Sequence, residues 1–184
     1  MHYTAGRGDA ERTAKFFERG KVKASAHFAM SRDGEVVQCV DTDRSAWHAG
    51  KSDFRNEGGS TNRKSIGVEL CNAGWNCSKV DEDKIFTGRH RNPASRKNKW
   101  EIYQEEQIEA VKKLCQELKE LHPSLQFVTG HEDIKNSDVV DIRGGKLDPG
   151  PLFPWNDICW EGMSLEQWHW SFKRKIWYNG LIVD

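Results

Sequence analysis

The sequence predicts an α/β fold: a single domain with a mixed central β-sheet flanked by helices. Three observations carry that expectation. Short runs of apolar or alternating residues are interleaved with segments of helical period. Two of the runs are joined by Arg32-Asp33-Gly34, a hairpin signal that makes neighbouring strands antiparallel within a sheet that also holds other connections. The length, 184 residues, suffices for one complete hydrophobic core and not for two comfortable domains.

Taken in order, residues 1–6 read as the tail of a strand entering a Gly-containing loop, with only Met1 ahead of His2. Gly8-Asp9 offers an N-cap for a helix over 10–19, with Ala10, Ala14 and Phe17 on one side and Gly20 as its stop. Residues 24–31 and 35–41 are strands, the alternation being clear in Val36-Val37-Gln38-Cys39-Val40. A third strand-like run, 45–50, ends on glycine and precedes a polar, Gly-rich loop over 51–64. Residues 65–71 form an apolar strand interrupted by Glu69. A lone carboxylate there costs several kcal/mol, so Glu69 is either ion-paired or faces a site.

Residues 72–100 are a long polar insertion with Arg89, Arg91, Arg96, Lys97 and Lys99 near its end. It reads first as a solvated loop and second as a basic rim that meets an anionic polymer. The strongest helix runs over 103–121, with Ile108, Val111, Leu114, Cys115, Leu118 and Leu121 on a core stripe and Glu109–Lys113 as an exposed pair. Residues 126–130 form a short strand that delivers His131. Lys146-Leu147-Asp148-Pro149-Gly150, followed by Pro151, is a turn that continues neither a helix nor a central strand. Residues 152–160 read as a short helix or turn. Residues 164–176 read as a helix, with Leu165, Trp168, Phe172 and Ile176 at helical spacing and Trp160, Trp168, Trp170 and Trp177 as core or cover.

Composition removes several function classes. The 28 basic and 28 acidic side chains cancel, which speaks against nucleic acid as a partner. No apolar run approaches the ~20 residues of a membrane span. No leader-like segment is visible, so a cytoplasmic location is expected. Five cysteines do not make a disulfide framework, and Cys39, Cys115 and Cys159 read as buried thiols. Cys71 and Cys77 read as reduced thiols too, with a small disulfide loop or a metal site shared with His90 as lesser alternatives.

The chemistry lies in the histidines. His2 and His131 each end a strand at a loop, where such sheets present ligands. His90 and His122 sit in polar settings expected to be exposed, His27 and His48 inside strand-like runs, and His169 in the aromatic tail. A catalytic zinc takes three protein ligands and keeps one position open. His2, His131 and Asp148 satisfy that count. The helix-borne HExxH arrangement is excluded, because the residue four beyond His131 is Lys135.

Six blocks occur in a telling order: His2-Tyr3-Thr4-Ala5-Gly6, Ser25-Ala26-His27-Phe28, Ala46-Trp47-His48-Ala49-Gly50, Ser65-Ile66-Gly67-Val68-Glu69, Gly130-His131-Glu132-Asp133-Ile134 and Lys146-Leu147-Asp148-Pro149-Gly150. Together they resemble the type 2 N-acetylmuramoyl-L-alanine amidases, a family that includes AmpD-like recycling enzymes, amidase-type phage lysins and peptidoglycan recognition proteins. The resemblance covers roughly residues 1–160. It implies the amidase fold and a Zn2+ enzyme that cleaves the amide between the lactyl group of N-acetylmuramic acid and L-alanine. It implies His2, His131 and Asp148 as metal ligands, Glu69 as general base and Lys146 as the cation that stabilises an oxyanion. Ala26 stands where the phage lysozyme branch has a tyrosine, which favours the Glu-using arrangement. Trp47 and His48 are expected to line the substrate cleft, with His27 supporting or packing. The expected organisation is a catalytic domain over 1–160, with the insertion 72–100, and a helical extension over 161–184 packed on it. The expected substrate is peptidoglycan or a muropeptide, acted on by a monomer. Cytoplasmic recycling and a phage lysin released to the wall through a separate pore both fit. A peptidoglycan-binding module without turnover is the competing reading.

Overall fold

The computed structural model describes residues 1–52, 54, 59–91, 95–134 and 146–158, together with three short strands beyond them. In chain order the elements are β1 (His2–Tyr3), α1 (Ala10–Glu18), β2 (Phe28–Met30), β3 (Val36–Gln38) and β4 (Val68–Leu70). Then come β5 (Ile85–Thr87), β6 (Lys99–Glu101), α2 (Glu105–Leu121), β7 (Phe127–Val128) and α3 (Trp155–Ile158). The last three strands are β8 (Ser164–Leu165), β9 (Ile176–Tyr178) and β10 (Leu181–Val183).

The central sheet has the order β1-β4-β2-β3, with β1 and β2 parallel to β4 and β3 antiparallel to β2. It is the mixed sheet that the hairpin signal predicts. Gly34 closes the hairpin with φ +85°, and a Cβ there would lie 2.8 Å from the Glu106 carbonyl oxygen, so the turn takes glycine for both reasons. Strand alternation puts Phe28, Met30, Val68 and Leu70 in the core, against Ile108, Val111, Leu114 and Leu118 of α2. Each such side chain contributes about 1.5–3 kcal/mol on burial. The same alternation turns Glu69 to the opposite face, and the register sets His2 beside it on one strand and Ala29 on the other.

α1 begins as predicted: the Asp9 carboxylate accepts from the Arg12 amide at 2.8 Å, and Ala10 and Ala14 face inward. α2 also begins within two residues of expectation, but its stripe ends at Leu118. Leu121 is 67% exposed, and after the turn at His122 and Pro123 it is Leu125 that packs against the core. The surface pairs on α2 are Glu109–Lys112 and Lys113–Glu117 rather than Glu109–Lys113.

Three other expectations change. Residues 45–50 form no strand, because their amides go to side chains: Trp47 donates to Ser25 Oγ, while His48 and Ala49 both donate to Asn62 Oδ1. The insertion is not a solvated loop throughout. β5 and β6 pair as a hairpin within it, and Ala73, Cys77, His90 and Trp100 are buried. In the tail, β8 adds parallel to β7 and β9 pairs antiparallel with β10, so both described ends of the expected helix over 164–176 are strand. An unpaired edge at β7 accepts a partner strand more readily than a helix. Cys159, Trp160, Trp168, His169, Trp170 and Phe172 lie outside the described residues. Among the described residues, no helix is long and apolar enough to cross a membrane.

Candidate active site

Three separate segments bring His2, His131 and Asp148 together. β1 supplies His2, the 3-10 turn His131–Asp133 just after β7 supplies His131, and the Asp148-Pro149-Gly150 turn supplies Asp148. Backbone hydrogen bonds stitch the segments to one another. Met1 N donates to Thr129 O at 2.8 Å, His131 N to Met1 O at 3.1 Å, and Glu132 N to Asp148 O at 2.9 Å. Tyr103 Oη anchors the turn from below by donating to Pro149 O at 2.7 Å.

The donor atoms converge. His2 Nδ1 lies 3.0 Å from His131 Nδ1 and 3.0 Å from Asp148 Oδ2, and His131 Nδ1 lies 2.9 Å from the same oxygen. All three residues are buried. A tetrahedral zinc with ligands at about 2.0–2.1 Å separates them by roughly 3.3 Å, so the triangle needs to open by only a few tenths of an ångström. Two imidazoles and a carboxylate are also the donor types that such an ion takes. Among the described residues, this is the one group of three or more His, Cys, Asp or Glu side chains gathered in this way. The alternative site is not formed: Cys71 Sγ contacts Thr13 Oγ1, Cys77 Sγ contacts Gly74 O, and His90 pairs with Glu132. Among the described residues, Cys39, Cys71, Cys77 and Cys115 form no disulfide with one another, and Cys39 is only half-buried.

Burial sets the protonation states. It pushes the His2 imidazole down to about 3, although the neighbouring Asp148 carboxylate works the other way. It pushes His48 down to about 2, with His2 adding to the effect. Both rings are therefore neutral near pH 7, the form that binds metal. Burial also acts to raise the Asp148 carboxyl, but the His131 and His2 rings that contact it outweigh this and hold the group well below the usual range. Glu69 is pushed up to about 7 by burial, reinforced by the charge on Asp148 and opposed by the chain's amino group and Lys146. Its Oε2 is buried without a hydrogen-bond partner, and among the described residues no salt bridge reaches it. Among the described residues, the ion-paired alternative for Glu69 is therefore not realised.

A cleft of ≈ 540 Å³ opens over this floor, and six of the seven predicted residues line it: Trp47, His48, Glu69, His131, Lys146 and Asp148. The seventh, His2, lies on the wall of an adjoining cavity of ≈ 300 Å³ whose far side is apolar, with Val68, Leu118 and Phe127. Trp47 is 56% exposed. Two residues of the insertion join the cleft: Trp75, unmarked in the sequence, and Lys97 of the expected basic rim, whose Nζ lies 3.6 Å from the centre of the Trp75 ring.

The supports of the two histidines also went unread. His2 Nε2 meets His48 Nδ1 at 3.0 Å, and His48 Nε2 meets Ser65 Oγ at 3.2 Å. His27 is buried, donating from Nε2 to Arg44 O and accepting at Nδ1 from Gly67 N. Behind His131, the Arg91 guanidinium reaches Glu132 at 2.6 Å and Asp133 at 2.5 Å, and His90 reaches Glu132 at 2.5 Å. Neither His90 nor Arg91 is a surface residue, contrary to expectation. The exposed part of the basic rim is Arg89, Arg96, Lys97 and Lys99.

Comparison with known proteins agrees with this geometry. The sequence model of the family described as N-acetylmuramoyl-L-alanine amidase matches residues 1–151. The chain is 30% identical over 141 residues to the 1,6-anhydro-N-acetylmuramyl-L-alanine amidase AmpD of Escherichia coli K12, covering 76% of this chain and 59% of AmpD. It is 33% identical over 132 residues to the N-acetylmuramoyl-L-alanine amidase AmiD of the same organism, covering 70% of this chain and 38% of AmiD. Among solved structures, AmpDh3 of Pseudomonas aeruginosa superimposes with a TM-score of 0.59 at 27% identity, over 85% of this chain and 56% of that one. AmiD in complex with the substrate anhydro-N-acetylmuramic acid-L-Ala-D-gamma-Glu-L-Lys superimposes with a TM-score of 0.58 at 26% identity, over 85% of this chain and 53% of that one. The chain therefore spans well under two thirds of the length of these relatives. The matched span holds every residue gathered on the cleft floor, from His2 to Asp148, and this chain belongs to the N-acetylmuramoyl-L-alanine amidase family.

Proposed function

We propose that this chain is a zinc-dependent amidase that hydrolyses the bond between the lactyl group of N-acetylmuramic acid and L-alanine. The observation that carries the reading is the meeting of His2, His131 and Asp148 within 3.0 Å, in a cleft that also holds a buried, unpartnered carboxyl. The substrate named for AmiD supports the choice of bond. Zinc held by those three residues supplies a Lewis acid and makes water acidic enough to attack near neutral pH.

The remaining steps belong to the chain's own groups. Glu69 accepts the attacking water's proton at Oε2 and passes it to the leaving nitrogen. The C–N bond breaks, the water oxygen stays on the lactyl carbonyl carbon, and the L-alanine amine departs protonated. A carboxyl whose pKa stands near 7 is suited to both transfers. Lys146, at the exposed mouth of the cleft, neutralises charge developing on the carbonyl oxygen; loss of such a group costs about 100- to 1000-fold in rate. Trp47 and Trp75 offer aromatic faces to the sugar, and Lys97 offers a cation to carboxylates of the peptide.

Residues 161–184 are read as an extension on the catalytic unit 1–160, a reading supported by the pairing of β8 with β7. The exposed Arg96, Lys97 and Lys99 favour polymeric wall over soluble fragments, and so a lysin over a recycling role. Incubation with a muropeptide, with zinc measured on the same sample, tests the activity. One zinc per chain and a new L-alanine amino terminus are expected. Full zinc loading without cleavage would leave the binding module as the surviving reading. Faster release from intact sacculi than from soluble anhydro-muropeptides is the outcome expected for a lysin.

A further inference from the structure

Hydrogen-bond direction can be traced outward to inward from a fixed point. The carbonyl oxygen of Thr61 only accepts, so the contact of 2.6 Å from Ser65 Oγ takes the single hydroxyl proton of that serine. Ser65 Oγ then faces His48 Nε2 at 3.2 Å as an acceptor, which places the ring proton of His48 on Nε2. A neutral His48 has its lone pair at Nδ1, and His2 Nε2, 3.0 Å away, must donate to it. A neutral His2 with its proton on Nε2 has a bare lone pair on Nδ1, the atom that points at His131 Nδ1 and Asp148 Oδ2.

The path is built into the fold. Gly67 leaves room for the His48 ring: a Cβ at that position would stand 2.3 Å from His48 Cγ. Ser65 and Gly67 lie on the segment leading into β4, four and two residues before the carboxyl of Glu69. One stretch of chain thus places the end of the relay, the space for its middle and the cleft carboxyl.

We infer that Thr61 O, Ser65 and His48 form a neutral proton relay that fixes the tautomer of His2, holding its Nδ1 as a lone pair for the metal. His48 and Ser65 are positioning residues in this scheme and act through His2. The relay opposes the alternative in which His2 carries its proton on Nδ1 and donates it to Asp148, closing the site to a cation. The inference rests on the zinc reading above, and the test separates the two.

Ring-nitrogen NMR of the full-length chain, before and after zinc addition, reads the tautomers directly. His2 is expected to carry its proton on Nε2 in both states, and His48 likewise. A His2 proton on Nδ1 in the metal-free protein overturns the relay, whatever the protein does with zinc. Zinc affinity by chelator competition gives the second readout. His48→Ala is expected to bind zinc about 10- to 100-fold more weakly. His48→Asn, which puts an acceptor oxygen near the place of Nδ1, is expected to recover most of that loss and return the His2 proton to Nε2. Ser65→Ala is expected to weaken binding by about tenfold or less. Equal zinc affinity in wild type, His48→Ala and Ser65→Ala overturns the relay even if the zinc enzyme itself is sound.

Discussion

His2 and His131 reach the same point from supports of opposite character. Behind His2 stand neutral groups in line: His48, Ser65 and the Thr61 carbonyl, none with a net charge near pH 7. Behind His131 stands a buried ionic knot, in which Arg91 of the insertion grips the Glu132 and Asp133 side chains of the same 3-10 turn and His90 adds a contact to Glu132. Burial works against the Arg91 charge, but Glu132 and Asp133 more than compensate and keep its pKa raised. The difference teaches what each support is for. β1 is already placed by the sheet, so His2 needs only its proton positioned. The 131–134 turn has no regular strand to hold it, so its backbone is fixed by charge.

The group that both sides share gives the largest test. Asp148→Ala removes the oxygen that contacts both rings, and zinc and activity are expected to vanish together, with rates lower by about 1000-fold or more. Glu69→Ala sharpens that result, because it should keep one zinc per chain and lose about 100- to 10,000-fold in rate. Metal analysis beside muropeptide hydrolysis separates the two variants. A fully active Glu69→Ala protein would remove Glu69 from the mechanism.

Next in size is the ionic knot. Arg91→Met removes the guanidinium that bridges the buried Glu132 and Asp133 carboxylates, and the expected loss is about 3–5 kcal/mol of stability. Denaturant unfolding measures it. Arg91→Met combined with Glu132→Gln and Asp133→Asn should recover part of that loss, since the uncompensated charge is gone. If Arg91→Met alone is as stable as wild type, the insertion does not clamp the turn.

Glu69 gives a pH test of intermediate size. In the unfolded chain it ionises near 4.5, whereas in the fold burial pushes it up to about 7. Between those values the folded protein binds more protons than the unfolded one, so stability falls as pH rises through that window and levels off above it. The full effect is up to about 3 kcal/mol. Glu69→Gln should match wild type near pH 4 and exceed it at pH 8, both without metal. A stability difference that is the same at the two pH values would show that Glu69 is ionised in the fold.

How much of this was legible depended on whether a residue's partner lay nearby in sequence. The hairpin at Arg32-Asp33-Gly34, the Asp9 cap and the α2 stripe are local signals, and the fold honours them. The cleft residues were legible because six ordered blocks carry them. Ser65 and Gly67 sat inside one of those blocks, yet their purpose depends on His48, nearly twenty residues earlier. The knot was illegible for a different reason. An Arg and a His in a polar stretch look solvated, and only the fold shows that Glu132 and Asp133 wait beneath them. The run 45–50 misled because apolar alternation does not say whether a neighbouring strand or an Asn62 side chain takes its amides.

The smallest effect probes the neutral side. Ser65→Ala deletes one uncharged link, a net contribution of about 1 kcal/mol. Nothing charged is left behind: Thr61 O still accepts from the Lys64 amide at 3.0 Å, and His48 keeps a neutral ring. Stability should therefore barely move while zinc affinity does, the reverse of Arg91→Met, in which stability moves first. Measuring both variants by denaturant unfolding without zinc sets the comparison. If Ser65→Ala costs as much as Arg91→Met, the His2 side is also a structural brace, and the division between a support that places a proton and one that places a backbone fails.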